Sequence, residues 1–114
     1  MKTIIAGSRT ITDFELLEQA IETCGFEIST VISGCAKGLD RLGEFWAEKY
    51  EIPILKFPAD WVKYGRGAGP VRNKEMAKNA DACIVLWDGK SKGAKNMIDL
   101  ARKNNLLLYV YDIS

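Results

Sequence analysis

The stretch STVISGCAKGLDRLGEFWAEKY, residues 29–50, holds a strand, a glycine turn and a helix in that order. STVIS reads as a strand, GCAKGLD breaks it with glycines, and Leu42, Trp46, Ala47 and Tyr50 then recur at the spacing of one inward helical face. Upstream, KTIIAG (2–7) is a short apolar run closed by Gly7, the mark of a buried strand. Thr12 with Glu15 three residues on forms a capping-box pattern, and Leu17, Ala20, Ile21 and Cys24 keep helical spacing up to a stop at Gly25.

The same alternation continues downstream. IPILKF (52–57) reads as a strand, followed by a long loop, PADWVKYGRGAGPVRN (58–73). Pro70 suits a first helical position, where its missing N–H costs nothing, and Asn73, Met76, Ala77 and Ala80 share one face of the helix behind it. ACIVLW (82–87) is the fourth strand. DGKSKG (88–93) turns the chain into a helix whose Ala94, Met97, Ile98 and Ala101 fall at i, i+3, i+4 and i+7, and LLLYVY (106–111) is the fifth strand.

Five strands alternating with four helices, the strands apolar on both faces, predict an α/β fold. The expected form is one Rossmann-like three-layer domain over residues 1–114, with a mostly parallel five-stranded sheet covered by helices on both faces. In such a sheet the ligand sits beyond the carboxyl ends of the strands, where the strand order reverses.

Composition narrows the chemistry. With 47% hydrophobic and 27% charged residues the chain is an ordinary folded domain, and its apolar runs are too short to span a bilayer. The N-terminus has no signal-peptide order, so a cytoplasmic location is expected, with no membrane partner. Cys24, Cys35 and Cys83 show no metal spacing and are odd in number, which argues against a disulfide framework and against a metal site. The absence of histidine removes imidazole bases and histidine-ligated metals, leaving carboxylates, Arg, Lys, Ser, Tyr and backbone amides. A net charge of +1 is unfavourable for a broad nucleic-acid surface but leaves room for a local cationic site.

The turns after the strands are the candidates for that site. GSRT supplies Gly7, Ser8 and Arg9, and GCAKGLD supplies Gly34, Cys35, Lys37, Gly38 and Asp40. The long loop supplies Asp60, Arg66, Arg72 and Asn73, with Trp61 and Tyr64 as possible stacking surfaces. DGKSKG supplies Asp88, Ser91, Lys92 and Gly93. Several of these loops run straight into helices, whose first amides attract anions. Neither a G-x-G-x-x-G fingerprint nor a complete G-x-x-x-x-G-K-[ST] Walker motif is present, so the standard dinucleotide and P-loop assignments fail.

The succession IAGSRT, SGCAKGLDRLGEFWA, FPADWVKYGRGAGPVRNKEMAKNADACIVLW and DGKSKGAKNMI resembles the SLOG superfamily, and within it the small YspA and YpsA-related branch found in bacteria and phages. The third block carries the most specific part of the likeness. The resemblance implies a nucleotide or nucleotide-derived ligand at the strand carboxyl edge; phosphate-type loops that are intact beside a missing LOG glutamate point to a sensor or sequestering protein, and beyond that ligand no cofactor is indicated. It also leaves open the N-glycosidic phosphoribohydrolase activity of the LOG enzymes, the single-stranded DNA binding of DprA-like proteins, and pairing into homo-oligomers. In the LOG pattern an arginine and a glutamate serve the site. RNKEM keeps the arginine as Arg72, while DGKSKGAKNM reaches Met97 where the glutamate is expected, so catalysis would need a carboxylate from elsewhere, with Asp40, Glu44, Asp60 and Asp88 as the candidates.

Overall fold

A computed structural model describes residues 1–113. In chain order the elements are β1 (Lys2–Gly7), α1 (Phe14–Cys24), β2 (Thr30–Ser33), α2 (Leu39–Lys49), β3 (Ile54–Lys56), α3 (Trp61–Tyr64), a 3-10 turn (Gly65–Gly67), α4 (Ala68–Asn79), β4 (Ala82–Trp87), α5 (Lys92–Lys103) and β5 (Leu107–Asp112). The strands form one sheet in the order β3-β2-β1-β4-β5, and every pairing is parallel. The expected sheet is therefore present. Its order reverses at β1, which pairs with β2 on one side and with β4 on the other.

Period-two alternation along the central strands sorts the core into two layers. Ile4, Ala6, Ile32, Cys83 and Val85 face α4 and α5, where Met76, Ala77, Ala94, Met97, Ile98 and Ala101 are buried. Ile5, Val31, Ile84 and Leu86 face α1 and α2, against Leu17, Ala20, Ile21, Leu39, Trp46 and Ala47. Both faces of β1 and β4 are thus apolar because helices cover both, as continuous apolar runs require. Gly43 lets α2 lie directly on β1, since a Cβ there would come within 2.8 Å of the Ile5 side chain.

Several local expectations change. The first helix is capped by Asp13, whose carboxylate accepts the Glu15 N–H at 3.0 Å, and not by Thr12. Asp13 stands one residue nearer the first turn and carries an acceptor that reaches the free amide. Gly25 does end that helix, in the left-handed conformation with φ 69°. The stripe of α2 is Leu39, Gly43, Trp46 and Ala47, with Asp40 and Glu44 also buried, whereas Tyr50 caps the helix half-exposed.

The segment 58–73 is not a structureless loop. Asp60 accepts the Lys63 N–H at 3.0 Å and starts α3, the 3-10 turn follows, and α4 is under way by Ala68. Pro70 is accordingly the third residue of α4 and not the first. Its missing N–H still falls among the first four amides, which have no intrahelical acceptor, so the helix tolerates it there. The described residues hold five α-helices where four were expected, because this segment folds into one of its own. No helix among the described residues is long and apolar enough to cross a membrane.

Candidate functional site

At the carboxyl ends of β1, β2 and β4 the loops are locked to one another by short polar contacts. Ser8 is fully buried; its N–H donates to Leu86 O, and its hydroxyl accepts the Asp88 N–H, both at 3.1 Å. Asp88 in turn accepts the N–H groups of Lys90 and Ser91 at 2.8 Å and the Thr10 hydroxyl at 3.4 Å. Those amide bonds, Lys90 first, hold the Asp88 carboxyl below its ordinary pKa, so it stays ionised while pinning the turn into α5. Ser91 then caps that helix by accepting the Ala94 N–H.

The turn between β2 and α2 is organised from within. The Cys35 N–H donates to the Ser33 hydroxyl at 3.1 Å, and that hydroxyl donates to Glu44 at 2.6 Å, with Lys56 3.8 Å from the same carboxylate. The Ala36 N–H donates to Asp40 Oδ2 at 3.2 Å. Cys35 sits at φ 62° and Gly38 at φ 76°, so the backbone doubles back sharply. Two amides of the turn are therefore already taken by side chains, which narrows what this glycine turn offers a phosphate.

Arg72, from α4, reaches across to this turn. One guanidinium nitrogen, Nη1, donates to Gly34 O, and Nε donates to Asn73 Oδ1 at 2.9 Å. Asn73, itself buried, donates onward to Asn96 Oδ1 at 2.9 Å, linking α4 to α5. The guanidinium is thus held on two sides, with no hydrogen bond from Nη2 among the described residues. Burial pulls the Arg72 pKa down and Asp40 pushes it back up, yet a guanidinium remains charged at any working pH.

Two adjoining concavities open here. The larger, about 400 Å³, has an apolar floor of Met76, Ala94 and Met97 and polar walls from Arg9, Thr10, Asp40, Arg72, Asn73, Asp88, Lys90 and Ser91. The smaller, about 300 Å³, is bounded by Gly34, Cys35, Lys37, Pro58 and Trp61. Arg9, Ala36 and Arg72 line both, so a pair of arginines stands on the ridge between them. The larger cleft lies where the strand order reverses, the place such a sheet offers a ligand.

Residues 1–64 match the family described as YAcAr, the YspA, cpYpsA-related SLOG family. The chain belongs to this family. The match takes in the first two blocks of the sequence resemblance and stops within the third, before Arg72. The gene 61 protein of Mycobacterium phage D29 is 29% identical over 112 residues, covering 90% of this chain and 89% of its own length. Among solved structures, DNA processing protein A (DprA) from Streptococcus pneumoniae superposes with a TM-score of 0.75 at 18% identity, covering 96% of this chain. This SLOG chain spans about half of that DprA chain, 49%, and the likeness is one of fold.

Of the residues expected at the SLOG site, Gly7, Arg9, Asp40, Arg72, Asn73, Asp88 and Gly93 line the larger cleft, and Gly34, Cys35 and Lys37 the smaller. Ser8 and Gly38 lie behind the walls and hold the loops together. Asp60, Arg66 and Lys92 line neither cleft: Asp60 caps α3, Arg66 is exposed in the 3-10 turn, and Lys92 is exposed at the start of α5. Thr10, Lys90 and the floor residue Met76 were not singled out for the site. For Met76 no sequence signal existed, because a cleft floor and a core share the same apolar spacing. Met97, which the resemblance set against the LOG glutamate, is buried in that floor. Among the described residues no cluster of three or more His, Cys, Asp or Glu could hold a metal.

Asp40 is the buried acid of the site. Burial raises its pKa from 3.8 to about 6, opposed by the Ala36 N–H and by Arg72, and reinforced by Glu44. The fold therefore holds this proton more tightly than the unfolded chain does. Asp40 contributes stability that is complete below its ordinary value of 3.8 and is lost as pH rises through about 6. Asp40→Asn, which cannot ionise, is expected to remove a destabilisation of about 3 kcal/mol near neutral pH and to gain little in acid. Urea unfolding of parent and variant at about pH 4 and pH 7.5 checks this, and an equal difference at both pH values would contradict it.

Proposed function

We propose that this domain binds a nucleotide or nucleotide-derived ligand, as a sensor or sequestering protein, with the anionic group of the ligand on Arg72 and Arg9. The observation that carries the reading is the Arg72 guanidinium, fixed by Gly34 and Asn73 and shared by both concavities. A fork held before the ligand arrives has little rotamer entropy left to lose, and it recognises a phosphate in a fixed orientation. Arg9, exposed and without a hydrogen-bond or ion-pair partner among the described residues, is free to close over the same charge.

Thermal unfolding against a panel of mono-, di- and cyclic nucleotides, ADP-ribose and NAD tests this. A ligand that binds the native state must raise the melting temperature, so a flat response across the panel would remove the reading. The Asn73 to Asn96 link gives a finer check. Asn96→Ala frees Asn73 to turn away from Arg72 and is expected to weaken ligand affinity about three- to tenfold, the value of one neutral hydrogen bond, without touching the cleft itself. Isothermal titration with the best panel ligand reads it.

A second reading, hydrolysis of an N-glycosidic bond, is supported by Asp40: a buried carboxyl at about 6 in the same cleft as Arg72 has the acidity of a general acid near neutral pH. Free base released from nucleoside monophosphates, and not released by Asp40→Asn, would favour it over simple binding.

A further inference from the structure

We propose that Asp40 recognises a hydroxyl of the ligand's ribosyl ring, so that the site takes a ribosyl phosphate in preference to its deoxy counterpart. This rests on the nucleotide reading above and goes further, by fixing which part of the ligand meets which wall.

Asp40 is only 6% exposed, and the single hydrogen bond to its carboxylate runs from the Ala36 N–H to Oδ2. Oδ1 has no partner among the described residues. No fully buried side-chain nitrogen or oxygen among them lacks a hydrogen bond, so Oδ1 must retain some exposure. Asp40 lines the larger cleft and not the smaller, so that cleft is the side from which a ligand would reach its carboxyl. An ionised carboxylate accepts hydrogen bonds and donates none. Placed in a nearly dry wall, it calls for a donor from whatever occupies the cleft.

Its neighbours say what kind of donor. Arg72 flanks the same wall: a Cβ on Gly34 would lie 2.7 Å from Arg72 Nη1 and 2.8 Å from Asp40 Oδ2, yet the two side chains form no ion pair. The guanidinium and the open carboxylate oxygen therefore act separately on the ligand, a few ångströms apart. A phosphate placed against Oδ1 would be repelled, so the anion goes to Arg72 and the group beside it must carry a proton to give. A ribosyl phosphate has that pairing, with a charged group and free hydroxyls on one small ring, and a deoxy ring has lost one of the donors. A site that leaves a buried acceptor unpaired discriminates strongly against the ligand lacking the partner.

The test is titration calorimetry at about pH 7.5 with AMP, 2′-deoxy-AMP and 3′-deoxy-AMP, and with the corresponding GMP series. The ribonucleotide is expected to bind about ten- to a hundredfold more tightly than at least one deoxy analogue, the range for a hydrogen bond to a charged group. In Asp40→Asn, whose fold is checked by circular dichroism, that ratio is expected to shrink. Equal affinity for all three nucleotides of a series, or a ratio undiminished in Asp40→Asn, would overturn the proposal while leaving nucleotide binding intact. No binding by any nucleotide of the panel would instead remove the nucleotide reading, and this one with it.

Discussion

Gly38→Ala is expected to cost this domain about 2–6 kcal/mol, against a total stability of about 5–15 kcal/mol for a domain of ordinary size. Gly38 lies at φ 76°, ψ −125°, a region that side-chain-bearing residues enter only under strain. A Cβ there would also meet the backbone of Arg9, 2.6 Å from its carbonyl carbon and 2.7 Å from its Cα. Backbone cannot rotate aside as a flexible side chain does, so the two loops must separate. Because those loops carry Arg9 and Asp40, ligand binding should fail along with stability. Gly25→Ala is the control: φ is 69°, but nothing lies within 4 Å of a Cβ, so only the left-handed conformation is penalised, at about 1–2 kcal/mol. Urea unfolding of the two variants separates conformational strain from collision, and comparable losses in both would show that the contact with Arg9 carries little weight.

Arg72→Ala is expected to reduce ligand affinity about a hundredfold or more, since truncating one member of a hydrogen-bonded charge pair in a partly buried site removes a charge-assisted contact and leaves its partner unmatched. The free protein should lose less, because the contacts given up are those to Gly34 O and Asn73 Oδ1, the second of them in a buried side chain. Arg72→Lys should recover little of the affinity. An ammonium cannot bond both sites and still present a second edge to the ligand. Titration calorimetry with the best nucleotide of the panel, beside thermal unfolding without ligand, distinguishes a lost contact from a collapsed site. Unchanged affinity in Arg72→Ala would move the site away from this ridge.

The elements themselves were readable where periodicity was long and both faces of a strand were apolar. ACIVLW and KTIIAG announced the central pair of the sheet, and Ala94, Met97, Ile98 and Ala101 announced the buried face of α5. The segment 58–73 was misread because a four-residue helix has no room for a hydrophobic period. None of the residues in α3 is buried, so its only local sign was the Asp60 cap. The cap of α1 was displaced by one residue for a related reason. Thr12 and Asp13 are both good caps, and the reach of the carboxylate to the Glu15 amide decided between them.

For the site, residue chemistry alone named the loops and most of the residues that line the clefts. Glycines, arginines and aspartates stand out against apolar strands, and a parallel sheet places every strand-to-helix turn on one edge. What chain order could not decide is which of those side chains meet. Arg72 reaches Gly34 across 38 residues, Asp88 meets Ser8 across 80, and Arg66, only six positions from Arg72, lines neither cleft. Such encounters depend on strand order and on how closely two backbones approach. Here that approach depends on Gly38, where the absence of a Cβ lets the second loop lie against Arg9. Sequence determined the sheet, its helices and which loops gather at its edge; the tertiary structure decided that Asp40 would be buried, with one carboxylate oxygen bonded to the Ala36 N–H and a fixed arginine nearby, because burial and direction are properties of neighbours and not of the residue.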